Sequence, residues 1–400
     1  MHIAWLGKKS PFCGNVTYGL EITNALLDRG YRVSFLHFAQ DNLPQDKLPQ
    51  NKLPQNKLPQ NNGNLNQHPD CQEVSLPFLY KSQIYTIPTL GAKKVLAESL
   101  RQLKPDLVHA SLTLSPLDFL LPEICQELGL PLVATFHPPF DRKLRNLTSG
   151  TQHLTYQLYA PFLANYDRII VFSKLQRDLL VRLGLPGDKV AIIPNGVDVQ
   201  RYIPGPSSLK QELNARRIFV YQGRISPEKN VESLLKAWKQ SAMGPDCKLI
   251  IVGNGILTPS LMPAYGPELG VIWRGFVADE QQRIRILQGA DVFVLPSLVE
   301  GLSLSLLEAM ACGLACLATD AGADGEVIEG GAGVVLSTQH VSTQLQTLLP
   351  LCRDHDELTE LLGQKGRQRV LERYTLSRNI TQLESLYGQI LRSQQPSVYI

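Results

Sequence analysis

Residues 292–320 read VFVLPSLVEGLSLSLLEAMACGLACLATD, and the reading of this stretch decides the fold. Val292, Phe293, Val294 and Leu295 make a short apolar run of β-branched and aromatic residues, the composition of a buried strand. Pro296-Ser297 turns the chain. Residues 304–311 then take helical spacing, and 315–318 form a second apolar strand. Strand, helix, strand repeated at this spacing belongs to a parallel sheet covered on both faces. Two carboxylates interrupt the apolar run. Glu300 lies in the loop, and Glu308 lies within the helix on the face of Leu304 and Cys312. An acid in such surroundings is costly without a partner, and two partners fit: an internal hydrogen bond to backbone, or a hydroxyl of a ligand.

Working outward, the alternation fills both halves of the chain. The second half carries strands at 218–222, 248–253, 271–274 and 334–336, with helices at 231–238, 341–349, 356–373 and 377–391. The first half carries strands at 3–7, 32–38, 74–79, 107–110, 132–136 and 168–172, with helices at 17–29, 92–103, 117–128 and 174–183. A turn, Pro194-Asn195-Gly196, and a linker with Pro204, Gly205 and Pro206 divide them. The predicted fold class is α/β, two Rossmann-like doubly wound domains facing across a cleft, one of residues 1–200 and one of 201–376. The 400 residues exceed one ordinary core and suit two. Ligands are expected at the C-terminal ends of both sheets.

Charge narrows the partners. With 39 basic and 36 acidic residues the net charge is +3, too small for a dedicated nucleic-acid binder, so no nucleic-acid partner is expected. The excess is uneven, +4 over residues 1–200 and −1 over the rest. No apolar run reaches membrane-spanning length, and Met1–Gly7 lacks the charge-then-apolar order of a signal peptide, so a cytoplasmic protein is expected. Seven cysteines, an odd number spread along the chain, make no disulfide framework, and Cys312 and Cys316 read as small buried residues at a helix end. From Leu43 a proline-spaced repeat, LPQD then three of KLPQN, marks residues 41–70 as a disordered insertion between strands.

Two further motifs carry chemistry. Gly223-Arg224-Ile225-Ser226-Pro227-Glu228-Lys229-Asn230 follows a strand and opens a helix. Backbone N–H groups at such a place favour an anion, and a guanidinium fork beside a lysine suits a diphosphate. A capped helix start with surface cations explains the same residues. His137 follows the strand 132–136 and precedes Pro138-Pro139, at a strand end facing the expected cleft; a structural histidine is the competing reading.

EGLSLSLLEAMACGLACLATD resembles the Glu-x7-Glu stretch of glycosyltransferase family 4, retaining nucleotide-sugar transferases of the GT-B fold. Tyr221–Asn230, Pro194–Asp198, Val271–Val277 and Thr135-Phe136-His137 resemble further family stretches, in family order. The resemblance implies that Arg224 and Lys229 neutralise the donor diphosphate, with N–H groups of Ser303 and Leu304 adding to the cradle. It implies that Glu308 accepts from the ribose, Glu300 holds hydroxyls of the transferred sugar, Val277 contacts the base, Gly14 admits the phosphate, and His137 points at the reacting centre. Residues 377–400 are expected to cross back to the first domain. The first loop, Cys13-Gly14-Asn15, lacks the family's paired glycines, Ser303 replaces a common glycine, and 321–326 departs from the usual Gly-Gly…Pro-Glu.

No cofactor is expected beyond the nucleotide-sugar co-substrate, by default a UDP-sugar, and no metal: Asp354-His355-Asp356 reads as a helix cap rather than a cation site. Retention without an evident carboxylate nucleophile points to front-face substitution. The first loop, Lys8–Gly19, resembles a cyanobacterial branch that includes digalactosyldiacylglycerol synthases, which implies galactosyl transfer from UDP-galactose to a glycolipid head group. The cations of Pro139–Leu147, Lys93-Lys94 and Lys8-Lys9 fit an anionic membrane surface and a peripheral enzyme; an ordinary solvated loop fits as well. A soluble or cell-envelope polysaccharide acceptor, and a hydrolysing UDP-sugar epimerase, stand as alternatives. A nicotinamide oxidoreductase does not, since Gly7, Gly14 and Gly19 miss the dinucleotide spacing.

Overall fold

The computed structural model describes residues 1–11, 13–39, 68–83, 85–140 and 147–393. The insertion expected over 41–70 therefore lies, up to residue 67, outside the described residues, as does 141–146 of the cationic stretch. The first domain carries strands β1 (His2–Gly7), β2 (Arg32–Phe38), β3 (Gln72–Leu76), β4 (Phe78–Lys81), β5 (Thr86–Pro88), β6 (Leu107–Ser111), β7 (Leu132–Thr135), β8 (Arg168–Val171) and β9 (Val190–Ile192). Seven of them form one sheet in the order β3-β2-β1-β6-β7-β8-β9, while β4 and β5 pair as a separate antiparallel hairpin. The second domain carries β10 (Arg217–Gln222), β11 (Cys247–Val252), β12 (Val271–Gly275), β13 (Val292–Leu295), β14 (Ala315–Thr319) and β15 (Val334–Leu336), in the order β12-β11-β10-β13-β14-β15. Every pairing within the two large sheets is parallel. The order reverses at β1/β6 and at β10/β13, and ligands of such sheets bind in the crevice outside the strand ends at that point.

Both sheets are buried on two faces, which is why β1, β10 and β14 read as continuous apolar runs rather than alternating ones. Several elements depart from the sequence expectation. The strand expected over 74–79 stops at Leu76, and Phe78 starts the hairpin, because Pro77 cannot donate to the ladder. Helices at Leu147–Leu163 and Glu280–Gly289 were not foreseen. The first holds Gly150 and Pro161; the second is mostly polar, with Ile284, Ile286 and Leu287 buried.

The chain crosses between domains twice, and the crossings touch. The Val197 N–H donates to the Tyr374 carbonyl at 2.8 Å, and the Leu376 N–H donates to the Val197 carbonyl at 2.9 Å. Gly196 is obligatory here: a Cβ on it would lie 2.7 Å from Leu376 Cα. The last helix, Leu376–Ser393, then lies on the first domain. Ile380, Leu383, Leu386, Tyr387 and Ile390 are buried on one stripe, worth on the order of 10 kcal/mol before the entropy of ordering the chain is subtracted. Tyr387 meets His109 Nδ1 of β6 at 2.5 Å, and Arg29 grips Glu384 at 2.6 Å.

Candidate active site

One wall of the cleft is built from the loops after β10, β11 and β13. The chain leaves β10 at Gln222, runs through Gly223 and Arg224, makes a turn at Pro227–Lys229 and enters the helix Val231–Gln240. The loop after β11 backs directly onto it. A Cβ on Gly253 (φ +133°) would lie 1.8 Å from the Gly223 carbonyl oxygen, and one on Gly255 2.2 Å from that of Ile225. Asn230 donates to the Pro296 carbonyl at 3.1 Å, fastening this loop to the one after β13. Lys229 Nζ thereby reaches Glu300 Oε1 at 2.5 Å, and the Ser297 hydroxyl donates to the same oxygen at 2.8 Å. Arg224, half exposed, meets Glu228 at 3.2 Å and, across the cleft, Gln83 Oε1 at 3.3 Å.

Glu300 and Gly301 rest on the loop after β14. The Ala323 N–H donates to the Gly301 carbonyl at 2.7 Å, and a Cβ on Gly322 (φ +57°) would lie 2.2 Å from the Glu300 carbonyl oxygen. Ser303 differs from the expectation. Its hydroxyl caps the helix Leu304–Ala311 by accepting from the Leu306 N–H at 3.3 Å, and its own N–H donates to Asp324 Oδ1 at 2.9 Å. The Ser303 N–H is therefore taken by a side chain and is no open donor for a phosphate. Asp324 is fully buried, and burial followed by the nearby Glu300 pushes its carboxyl well above the usual range. Leu304 opens the helix, where N–H groups have no intrahelical acceptor.

Glu308 sits one turn further on, buried, with Oε2 accepting from Gln222 Nε2 at 2.7 Å. Its internal partner is a side chain, not the backbone. Burial pushes its carboxyl up to about 7, partly opposed by the Arg283 cation and the Gln222 amide. Val277 is buried in the loop after β12, and Arg283 donates to the carbonyls of Val277 and Ala278 at 3.0 and 2.9 Å. Asp354 and Asp356 end one C-terminal helix and begin the next; they pair with Arg353 and Arg217.

The facing wall holds His137. Its Nε2 lies 2.8 Å from the Ser111 hydroxyl, which donates to Asn15 Oδ1 at 2.7 Å, while Asn15 Nδ2 donates to the Leu112 carbonyl at 3.2 Å. Tyr18 stands edge-on at 4.8 Å. Burial, then the Lys8 cation, lowers the His137 pKa to about 3, so the ring is neutral at physiological pH. Gly14 is the first residue of the helix Gly14–Asp28, with open space where a Cβ would stand. The walls meet at Phe140, whose N–H donates to the Glu300 carbonyl at 3.1 Å, and at Asn195, which donates to the Leu302 carbonyl at 3.0 Å. His137, Glu300, Arg224 and Lys229 are thus brought to one crevice. Lys8, read as part of a basic surface, is instead 3% exposed, and Lys9 and Lys93 are paired with Glu73 and Glu123.

One cluster escaped the sequence reading. Arg201 binds Glu21 at 2.9 Å, Asp198 at 2.7 Å and Glu280 at 2.8 Å, and the Tyr202 hydroxyl donates to Glu280 at 3.1 Å. It joins the first helix, the linker and the second domain beside Glu308. Arg201 and Glu21 alone are 180 positions apart, and no local spacing announces the cluster.

Two doubly wound domains facing across such a crevice define the GT-B fold. Comparison with known proteins gives the family. Residues 14–201 match the model "Glycosyltransferase Family 4" and residues 208–369 match "Glycosyl transferases group 1". The chain is 26% identical over 302 residues to the UDP-Gal:alpha-D-GlcNAc-diphosphoundecaprenol alpha-1,3-galactosyltransferase of Escherichia coli, covering 72% of this chain and 76% of that protein. It is 29% identical over 290 residues to the alpha-maltose-1-phosphate synthase of Mycolicibacterium smegmatis, covering 66% and 74%. The structure of HepE from Anabaena in complex with UDP-glucose superposes with a TM-score of 0.75 at 18% identity, covering 97% of this chain and all of that one. The sucrose-phosphate synthase of Thermosynechococcus elongatus gives 0.73 at 19%, covering 98% and 99%. The chain belongs to glycosyltransferase family 4: it is a hexosyltransferase that moves a sugar from a nucleotide sugar.

Proposed function

We propose that this enzyme transfers a hexose from a UDP-sugar, with retention and without a metal, to a hydroxyl of a glycolipid head group at a membrane surface. The observation that carries the reading is the meeting of Lys229 with Glu300 at 2.5 Å opposite His137, with Glu308 buried one turn beyond. A diphosphate arriving between Arg224 and Lys229 replaces the Glu300 carboxylate as partner of the lysine, freeing Glu300 to accept from sugar hydroxyls. The charge that grows on the leaving diphosphate then meets two fixed cations, which is transition-state stabilisation. Glu300 and Glu308 are assigned to hydroxyls, Glu228 is paired with Arg224 and Asp324 accepts from the Ser303 N–H, so front-face substitution with the leaving phosphate taking the acceptor proton is the favoured route.

UDP as carrier is supported by two likenesses, a relative named for UDP-Gal and a solved neighbour holding UDP-glucose. A lipid acceptor is supported by the β4–β5 hairpin. Leu79, Tyr80, Tyr85, Ile87 and, just beyond it, Leu90 are exposed, Leu79 at 71% and Leu90 at 103%, with Lys94 nearby in sequence and open to solvent. Such a mixture of aromatic, aliphatic and basic side chains suits a bilayer interface. Among the described residues no helix is long and apolar enough to cross a membrane. Release of UDP from a panel of UDP-sugars, with lipid and soluble acceptors, tests the reading. Turnover with soluble acceptors alone would refute the lipid part, and a covalent glycosyl-enzyme trapped on Glu300 would refute the front-face route.

A further inference from the structure

Two lysines on the acceptor wall have no place in the donor chemistry. Lys8 leaves β1 at the C-terminal edge of the sheet and is buried, its Nζ 3.2 Å from the Gln83 carbonyl and 3.4 Å from that of Ser82. Lys81 ends β4, and its Nζ donates to the Phe38 carbonyl at 2.7 Å and to the Ser10 hydroxyl at 2.8 Å. All four acceptors are neutral. Lys9, between them in sequence, takes Glu73 as its partner. The carboxylate that faces Lys8 is Asp118, and it is already engaged by the Ser115 N–H at 2.9 Å and the Tyr159 hydroxyl at 3.0 Å. Burial and mutual repulsion both act against the charge on Lys81, and burial acts against that on Lys8.

An ammonium group taken out of water without an anionic partner is costly. Each has three donors and, among the described residues, makes two hydrogen bonds, both to neutral oxygens, while the Lys81 ammonium also lies 4.8 Å from the centre of the Phe78 ring; among those residues neither meets an anion within ion-pair distance. Their position is on the acceptor side: the Lys8 charge is felt by His137, and Gln83, whose carbonyl Lys8 holds, is the residue that meets Arg224 across the cleft. The diphosphate cations Arg224 and Lys229 stand on the other wall.

We propose that Lys8 and Lys81 form an anion subsite for the acceptor, which holds a phosphoryl group carried by the acceptor molecule while its hydroxyl faces the donor sugar. The inference rests on the glycosyltransferase reading and narrows its acceptor class from a neutral galactolipid to a phosphorylated one. The phosphoryl group has two sources, a soluble sugar phosphate or a phospholipid head group.

The test uses the full chain saturated with UDP, so that the donor site is filled. Glucose 6-phosphate is titrated by calorimetry in one arm. In the other, sedimentation is measured with phosphatidylcholine vesicles, with and without phosphatidylinositol. Saturable binding in either arm is expected, weakened about tenfold or more in Lys8→Met and in Lys81→Met, retained in Lys81→Arg and unchanged in Lys239→Met, an exposed lysine of the second domain. Methionine keeps most of the apolar stem and removes a buried charge, so the fold should hold. A response to glucose 6-phosphate assigns the group to a soluble sugar; lysine-dependent capture on phosphatidylinositol vesicles alone assigns it to a lipid. The proposal is overturned if neither probe binds, if binding survives both methionine substitutions, or if these weaken UDP itself and so place Lys8 in the donor site. Failure of the parent chain to bind UDP would count instead against the glycosyltransferase reading.

Discussion

Replacing Glu308 by glutamine should move stability and donor affinity in opposite directions. Burial raises this carboxyl to about 7 in the folded chain from an ordinary 4.5. Between those two values the folded state binds more protons than the unfolded one, so stability is full below about pH 4.5 and falls as pH rises towards 7. The difference of two to three pH units corresponds to about 3 kcal/mol lost by pH 8. Glu308→Gln removes that cost and keeps an oxygen to accept from Gln222. It should therefore be more stable than the parent by about 3 kcal/mol at pH 8 and nearly equal to it at pH 4. Bound UDP works the other way, because the proposed ribose hydroxyls need the anion: affinity should drop about 10- to 100-fold at pH 8. Urea unfolding followed at several pH values, with calorimetric UDP binding alongside, measures both. A variant no more stable than the parent at pH 8, or a gain independent of pH, would refute the burial argument. Unchanged UDP affinity would refute the ribose assignment.

Lys229→Met should lower kcat about 10²- to 10³-fold by removing a cation from the leaving group, measured as UDP release at saturating donor; an unchanged kcat would refute it. Gly322→Ala should destabilise by about 2 kcal/mol or more, since it forces a Cβ at φ +57° towards the Glu300 carbonyl, and thermal unfolding measures the loss; an unchanged midpoint would refute it. Activity should persist after EDTA treatment; loss with EDTA and recovery with magnesium would show that Arg224 and Lys229 do not suffice.

The decisive stretch was legible because its signals are local. The strand Val292–Leu295 and the helix Leu304–Ala311 fall where their apolar spacing puts them. The parallel pairing within both sheets follows from repetition of the same unit. What could not be read depends on partners distant in sequence. Nothing near Ser303 reveals that its N–H is taken by Asp324, 21 positions on. The Arg201 cluster joins Glu21, Asp198 and Glu280, each an unremarkable surface charge in its own window. The hairpin was missed because Pro77 and Pro88 bound strands only three or four residues long. Glu280–Gly289 did offer a signal, an Asp279 cap whose side chain accepts from the Gln281 N–H, ahead of buried Ile284 and Leu287.

The contact between Val197 and Thr375 carries a consequence for how such enzymes diversify. The second domain enters and leaves the rest of the molecule at two neighbouring points. In topological terms it is a cassette plugged into the first domain. A cassette with adjacent ends can be exchanged for that of a relative by two cuts, leaving the first sheet and the last helix continuous in space. Under the proposed division of roles, recombination at these points would pair a new sugar with an old acceptor, provided that Gly196 and the seat for Arg201 travel with the graft.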